Sequence, residues 1–183
     1  MIKKLSFTLI SLCMAASLAN GQFKTFEAIK NQSPVTYKLI HPLHEMNATS
    51  KEVSIKAEID PAKKLIKTVS ADADVMTFDS GNSNRDSHAM EVIDSITYPD
   101  VTFAGTTVAQ SGDSVTVTGK LNFHGVTKDI TMYGATAWTE DSLKVQGKFD
   151  ITLSGFNIER PSLLMIPVKD TLYFSLMAVF AIK

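Results

Sequence analysis

Apolar residues recur at every second position through most of this chain. From Ser114 onward, Val115, Val117, Gly119, Leu121 and Phe123 share one face, while Thr116, Thr118, Lys120 and Asn122 share the other. That is the period of a strand buried on one side. Ile130, Met132, Gly134 and Trp138 continue it, then Leu143, Val145, Gly147, Phe149, Ile151 and Leu153, and finally Leu172, Phe174, Leu176, Ala178, Phe180 and Ile182. The spacing predicts strands over 23–29, 35–43, 53–59, 65–78, 101–109, 114–123, 129–138, 143–153 and 171–182. Asp60-Pro61, Ser111-Gly112-Asp113, Gly125 and Glu140-Asp141 supply turns between them. Short turns between strands predict an antiparallel sandwich or barrel, and periodicity alone does not choose between the two. Glycines on the inner face are expected to leave room there rather than fill it.

The alternation breaks once, between Phe78 and Phe103. There Ala89, Met90, Val92, Ile93 and Ile96 recur at helical spacing, predicting a short helix docked by one face. Ser83 with Asp86 forms a candidate capping box, and Asn84 is an equal candidate for the N-cap. Pro99 biases Tyr98 away from helix and closes the segment.

The 183 residues suit one domain large enough to bury a substantial core. Residues 1–21 read as a cleavable leader: Lys3 and Lys4 precede an apolar run from Leu5 to Leu18, followed by small residues. Cleavage after Gly21 is preferred, with the site after Ala19 as the alternative, so the domain is expected over 22–183. The apolar run is short for a retained membrane span. This leader predicts a periplasmic or secreted protein.

Cys13, the only cysteine, lies in that leader. Leu12 precedes it where lipidation wants a small residue. The processed chain would thus have no disulfide, thiolate metal site or cysteine nucleophile. Loss of the leader removes two lysines and no acids, taking the formal charge from −1 to −3. With no basic stripe or polybasic tail, neither nucleic acid nor an anionic membrane surface is expected as a partner.

Site chemistry is sparse. Arg85, Asp86 and His88 are the one tempting constellation, but they supply too few ligands for a closed zinc site. The preferred reading is structural, with Asp86 supporting the helix N-terminus and Arg85 reaching a carboxylate or carbonyl. His41 and His44, read on one continuous strand, fall on opposite faces and are expected at the surface or half-buried. His124-Gly125-Val126-Thr127-Lys128 is explained by a hairpin turn. No nucleophile elbow, Ser-x-x-Lys set or phosphate cradle is present. An enzyme is therefore not expected, and neither is a metal or cofactor.

Several motifs together resemble the YceI-like family, in its order and spacing. They are Phe78-Asp79-Ser80-Gly81-Asn82, Arg85-Asp86-Ser87-His88, Tyr98-Pro99-Asp100-Val101-Thr102-Phe103, the run from Val117 to Lys128, Arg160-Pro161-Ser162 and Val168-Lys169-Asp170-Thr171-Leu172. The segment from His41 to Thr49 departs from that family's phenylalanine-rich, glycine-containing early strands. The resemblance implies a mainly β fold: a single antiparallel lipocalin-like β-barrel of about eight strands, with one short helix after the fourth strand region. It also implies a long-chain lipid or isoprenoid as ligand, bound without catalysis. Alternation and the resemblance together nominate Val117, Leu121, Phe123, Met132, Phe149, Leu172, Phe174 and Leu176 as its lining, with Arg85 and His88 as candidates for the mouth. A barrel packed shut, acting as an interaction module of the cell envelope, is the alternative. A homodimer is left open.

Overall fold

The computed structural model describes residues 22–183, so the leader and its cleavage sites lie outside the described residues. The strands are β1 (Lys24–Glu27), β2 (Val35–His41), β3 (His44–Ser50), β4 (Ser54–Asp60), β5 (Leu65–Asp74), β6 (Asp100–Ser111), β7 (Ser114–Phe123), β8 (Val126–Trp138), β9 (Ser142–Thr152), β10 (Ser162–Leu163), β11 (Ile166–Pro167) and β12 (Thr171–Ala181). One helix, α1 (Ser83–Val92), follows β5. Ten strands form a single antiparallel sheet in the order β1-β4-β5-β6-β7-β8-β9-β12-β2-β3, and β10 and β11 make a separate small hairpin.

The sheet curls into a barrel-like wall, but it has more than the expected eight strands and no continuous ladder closes it. β12 pairs with β9 on one side along its whole length. On its other side β2 takes only Leu172–Leu176. Beyond β2, the gap is bridged by Ala28 opposite Phe180, with Ala28 N–H donating to Ile55 O (2.8 Å) and Ile29 N–H to Val179 O (2.8 Å). At the far edge, β3 bonds the chain after β5 through Thr49 and Asp79, again as a single bridge.

The strand of the main sheet missing from the nine read from the spacing is β3. The segment read as one strand over 35–43 is a hairpin whose Pro42-Leu43 turn sets His41 opposite His44. His44-Glu45-Met46-Asn47-Ala48-Thr49-Ser50 hides its alternation because only Met46 and Ala48 on its inner face are apolar. The helix also differs at both ends. Asn82, rather than Ser83 or Asn84, is the N-cap, and its side chain accepts from Arg85 N–H at 3.1 Å. The helix stops at Val92, and a left-handed Asp94 turns the chain away. Ile96 therefore leaves the apolar face and is 95% exposed, while Met90, Val92 and Ile93 pack on the barrel.

Inner-face glycines make space for neighbouring side chains, not for an empty interior. A Cβ at Gly119 would strike the Phe103 ring, and one at Gly147 would lie 2.6 Å from Met132 Sδ. Large residues on adjacent strands fold over these two glycines, whereas Gly134 lies against the backbone of Gln146 and Gly147, so the inner layer stays filled where the sheet curls.

The connection from β9 to β12 is fixed by Asp170. Its Oδ1 accepts from Ser154 N–H at 2.9 Å and its Oδ2 from Ser154 Oγ at 2.6 Å. These bonds, the side-chain one first, hold the carboxyl below the ordinary carboxylate range. Its stabilising contribution is thus complete above the ordinary carboxylate pKa and lost as pH falls through the lower folded value. Carbon-detected NMR titration should find Asp170 among the most acidic carboxyls, and Ser154→Ala should raise its midpoint.

Candidate functional site

The inward faces of the sheet do not meet. Two packed clusters fill the ends of the barrel, one around Ile59, Val115 and Leu143, the other around Val75, Ile151 and Phe156. Phe103, Phe149 and Phe174 border both clusters yet keep accessible surface. Between them lies a cavity of about 640 Å³ whose wall is almost wholly apolar. Side chains that alternate inward but stay half-exposed must face a void, since nothing else separates them from solvent.

An aromatic row crosses this wall. Phe149 and Phe174, paired in register across β9 and β12, stack with ring centroids 4.7 Å apart and planes within 4°. Tyr37 on β2 meets Phe174 edge-on at 6.3 Å and Phe78 at 5.6 Å. Such contacts hold the rings in place at little entropic cost while leaving their outer edges toward the cavity.

The mouth is polar. Apart from Asp72 on β5, the exposed lining residues come from three places: His44 and Asn47 on β3, Asn82, Asn84 and His88 at α1, and Ser162 and Leu163 on β10. Arg85 lies just inside this rim. Its Nε donates to Ser80 Oγ at 2.8 Å and its Nη2 to Ser80 O at 2.9 Å, while Asp86 accepts from Ser80 N–H at 3.2 Å. Arg85 thus reaches a carbonyl, and Asp86 folds the preceding loop onto the first turn. Among the described residues no carboxylate sits within ion-pair distance of Arg85. Tyr37 lies close enough to feel both charges. Burial, then the Asp86 charge, pushes the pKa of its hydroxyl up, with Arg85 opposing, so the phenol stays neutral.

Every residue nominated from the sequence borders the cavity: Val117, Leu121, Phe123, Met132, Phe149, Leu172, Phe174 and Leu176 on the wall, Arg85 and His88 at the mouth. They differ in how much they offer. Phe149, Phe174 and Leu176 are half-exposed, whereas Val117 is 1% exposed and mainly packs an end. His88 points outward, with its Nδ1 3.7 Å from Glu91 Oε2. The rest of the wall escaped sequence reading: Tyr37, Leu39 and Met46 from the β2–β3 hairpin beside β12, and Val69, Ala71 and Ala73 from β5. The period-2 pattern of β5 carried that signal in muted form, because small alanines mark its inner face.

His41 also departs from expectation. It is 2% exposed, and its ring lies 5.2 Å from that of His44 on the same face of the hairpin. Leu43 N–H donates to Nδ1 at 3.2 Å, so the ring proton sits on Nε2 and is donated to Ile166 O at 3.0 Å. Both nitrogens are occupied by structure. Among the described residues no group of three or more His, Cys, Asp or Glu is placed to hold a metal, and no helix is long and apolar enough to cross a membrane.

A YceI-like domain profile matches residues 7–180. The chain belongs to the YceI-like family. Its YceI-like relatives include Protein YceI of Escherichia coli O157:H7, 24% identical over 85% of this chain and 86% of that protein. A UPF0312 protein of Pseudomonas putida is 29% identical over 70% of this chain and 69% of its own. The crystal structure of Burkholderia cenocepacia BcnA superposes with a TM-score of 0.75 at 23% identity, covering 83% of this chain and 98% of BcnA. A polyisoprenoid binding domain from Saccharophagus degradans, implicated in plant cell wall breakdown, shares the fold at 13% identity with a TM-score of 0.64, over 88% of this chain and all of that domain.

Proposed function

We propose that this protein is an exported, non-catalytic binding or carrier protein for a long-chain apolar lipid, an isoprenoid-like chain or a fatty acid or amide, held inside the curled sheet. One observation carries the reading: the apolar cavity of about 640 Å³ with Phe149 and Phe174 facing into it. That volume falls within the roughly 300–1,000 Å³ of small-molecule sites, and such a wall favours hydrocarbon over polar ligands. Each methylene taken from water contributes about 0.8 kcal/mol, so a five-carbon unit contributes roughly 4 kcal/mol before the cost of immobilising the chain. Arg85, just inside the rim, suits a polar or anionic end of such a chain. The polyisoprenoid binding domain of Saccharophagus degradans, on the same fold, supports the class of ligand.

A barrel packed shut would need side chains where this cavity lies, which counts against the interaction-module alternative. Native mass spectrometry of the purified protein, followed by organic extraction, tests the reading. A persistent apolar adduct, or uptake of added polyprenol at one per chain, is expected. A clean apo mass with no uptake of polyprenols, fatty acids or fatty amides would overturn it.

A further inference from the structure

Beside the mouth stands a feature the cavity does not account for. β10 and β11 form a two-residue hairpin, with Leu163 opposite Ile166 and Leu164-Met165 as its turn. Both turn residues have positive φ, 52° and 66°. That geometry suits Asn-Gly and is disfavoured for large side chains. The chain's own His124-Gly125 turn, with φ of 50° and 70°, uses a glycine as expected. Here leucine and methionine occupy the position instead, 77% and 92% exposed.

The hairpin is held firmly in this posture. Val168 N–H donates to Pro161 O (3.0 Å), Arg160 Nε donates to Val168 O (2.9 Å), and His41 donates to Ile166 O. Through His41 it also adjoins Leu43, itself 63% exposed. The run Pro161–Val168 contains no charge, and Arg160 and Lys169 flank it directly. Glu159 and Asp170 stand one residue further out, Asp170 turned back onto Ser154. Uncharged apolar tip, cationic shoulders and a position on the rim of a lipid cavity together fit the boundary between headgroups and acyl chains. A turn that keeps two ill-suited apolar residues in solvent violates local preference where a function would explain it.

We propose that the Leu164-Met165 hairpin is a docking prong that inserts into a phospholipid bilayer and brings the cavity mouth against the membrane. The proposal rests on the lipid-carrier reading and adds the surface that lipid is collected from or delivered to. Its test is flotation of the purified protein with vesicles of phosphatidylethanolamine and phosphatidylglycerol. The comparison is a Leu164→Asn/Met165→Gly variant, which installs the preferred turn pair and so keeps or raises the melting temperature.

The bound fraction of the variant should fall at least tenfold, while its uptake of detergent-dispersed polyprenol stays unchanged. A Met165→Trp variant should be quenched by brominated phospholipid, with Trp138 in the parent protein unaffected. Equal flotation of parent and variant, or none by either, would overturn the prong even with polyprenol uptake intact. So would light scattering that shows the variant splitting a dimer, since a second copy would then cover the hairpin. Loss of polyprenol uptake in both proteins would instead remove the carrier reading, and with it the purpose assigned to the prong.

Discussion

Replacing Ala71 and Ala73 together with phenylalanine is expected to abolish lipid uptake without unfolding the protein. Both alanines lie on the inner face of β5, half-buried, and line the cavity opposite the aromatic row. Two rings placed there compete with ligand for the same volume. Displacing even about five ligand carbons forfeits roughly 4 kcal/mol, on the order of a thousandfold in affinity. The rings enter empty space rather than a filled core, so the overpacking penalty of about 1–3 kcal/mol seen in tight interiors should be largely avoided. Native mass spectrometry with added polyprenol should show loss of the adduct, alongside a melting temperature within a few degrees of the parent. Retained uptake at full affinity would mean that the ligand does not occupy this space.

Phe156→Ala is expected to do the reverse. Phe156 is 2% exposed, the largest of the fully buried side chains, and meets Phe123 at 5.7 Å. It belongs to the packed cluster at one end and does not line the cavity. Truncating it leaves a hole in close-packed surroundings, at a cost of about 3–5 kcal/mol. For a domain of this size that is a fall of roughly 10 °C in melting temperature. Polyprenol uptake per folded molecule should persist below the new transition. Calorimetry and native mass spectrometry on the two variants thereby separate what holds the fold from what holds the ligand. A Phe156→Ala protein as stable as its parent would show that this end is not packed as described.

Much of this was legible in sequence where burial and alternation coincide. β7 and β9 alternate apolar with polar residues, so their inner faces could be read directly. β12 was less plain, with Tyr173, Met177 and Val179 on its outer face, and it was the family resemblance that turned the eight inner residues from core into cavity wall. The other wall was muted. β5 faces inward with Ala71 and Ala73, small residues that weaken any hydrophobic period, and β3 is so polar that only pairing with β2 reveals it. His41 and His44 were misassigned for the same reason: an unrecognised Pro42-Leu43 turn reverses which residues share a face. The glycines were misread because their role depends on which ring arrives from the next strand, as Phe103 does over Gly119. The Leu164-Met165 turn carried no signal at all, since its chemistry contradicts its geometry.

The bridge between Ala28 and Phe180 has a consequence for the order of assembly. The residues that seal one end of the wall lie at opposite extremes of the chain, so the enclosure cannot be completed until the final strand is available. A polypeptide emerging N-terminus first stays unsealed for nearly its entire length, and sealing then depends on the slowest class of contact, between segments farthest apart in sequence. Truncation within the last strand should therefore leave a chain that collapses but never forms its container.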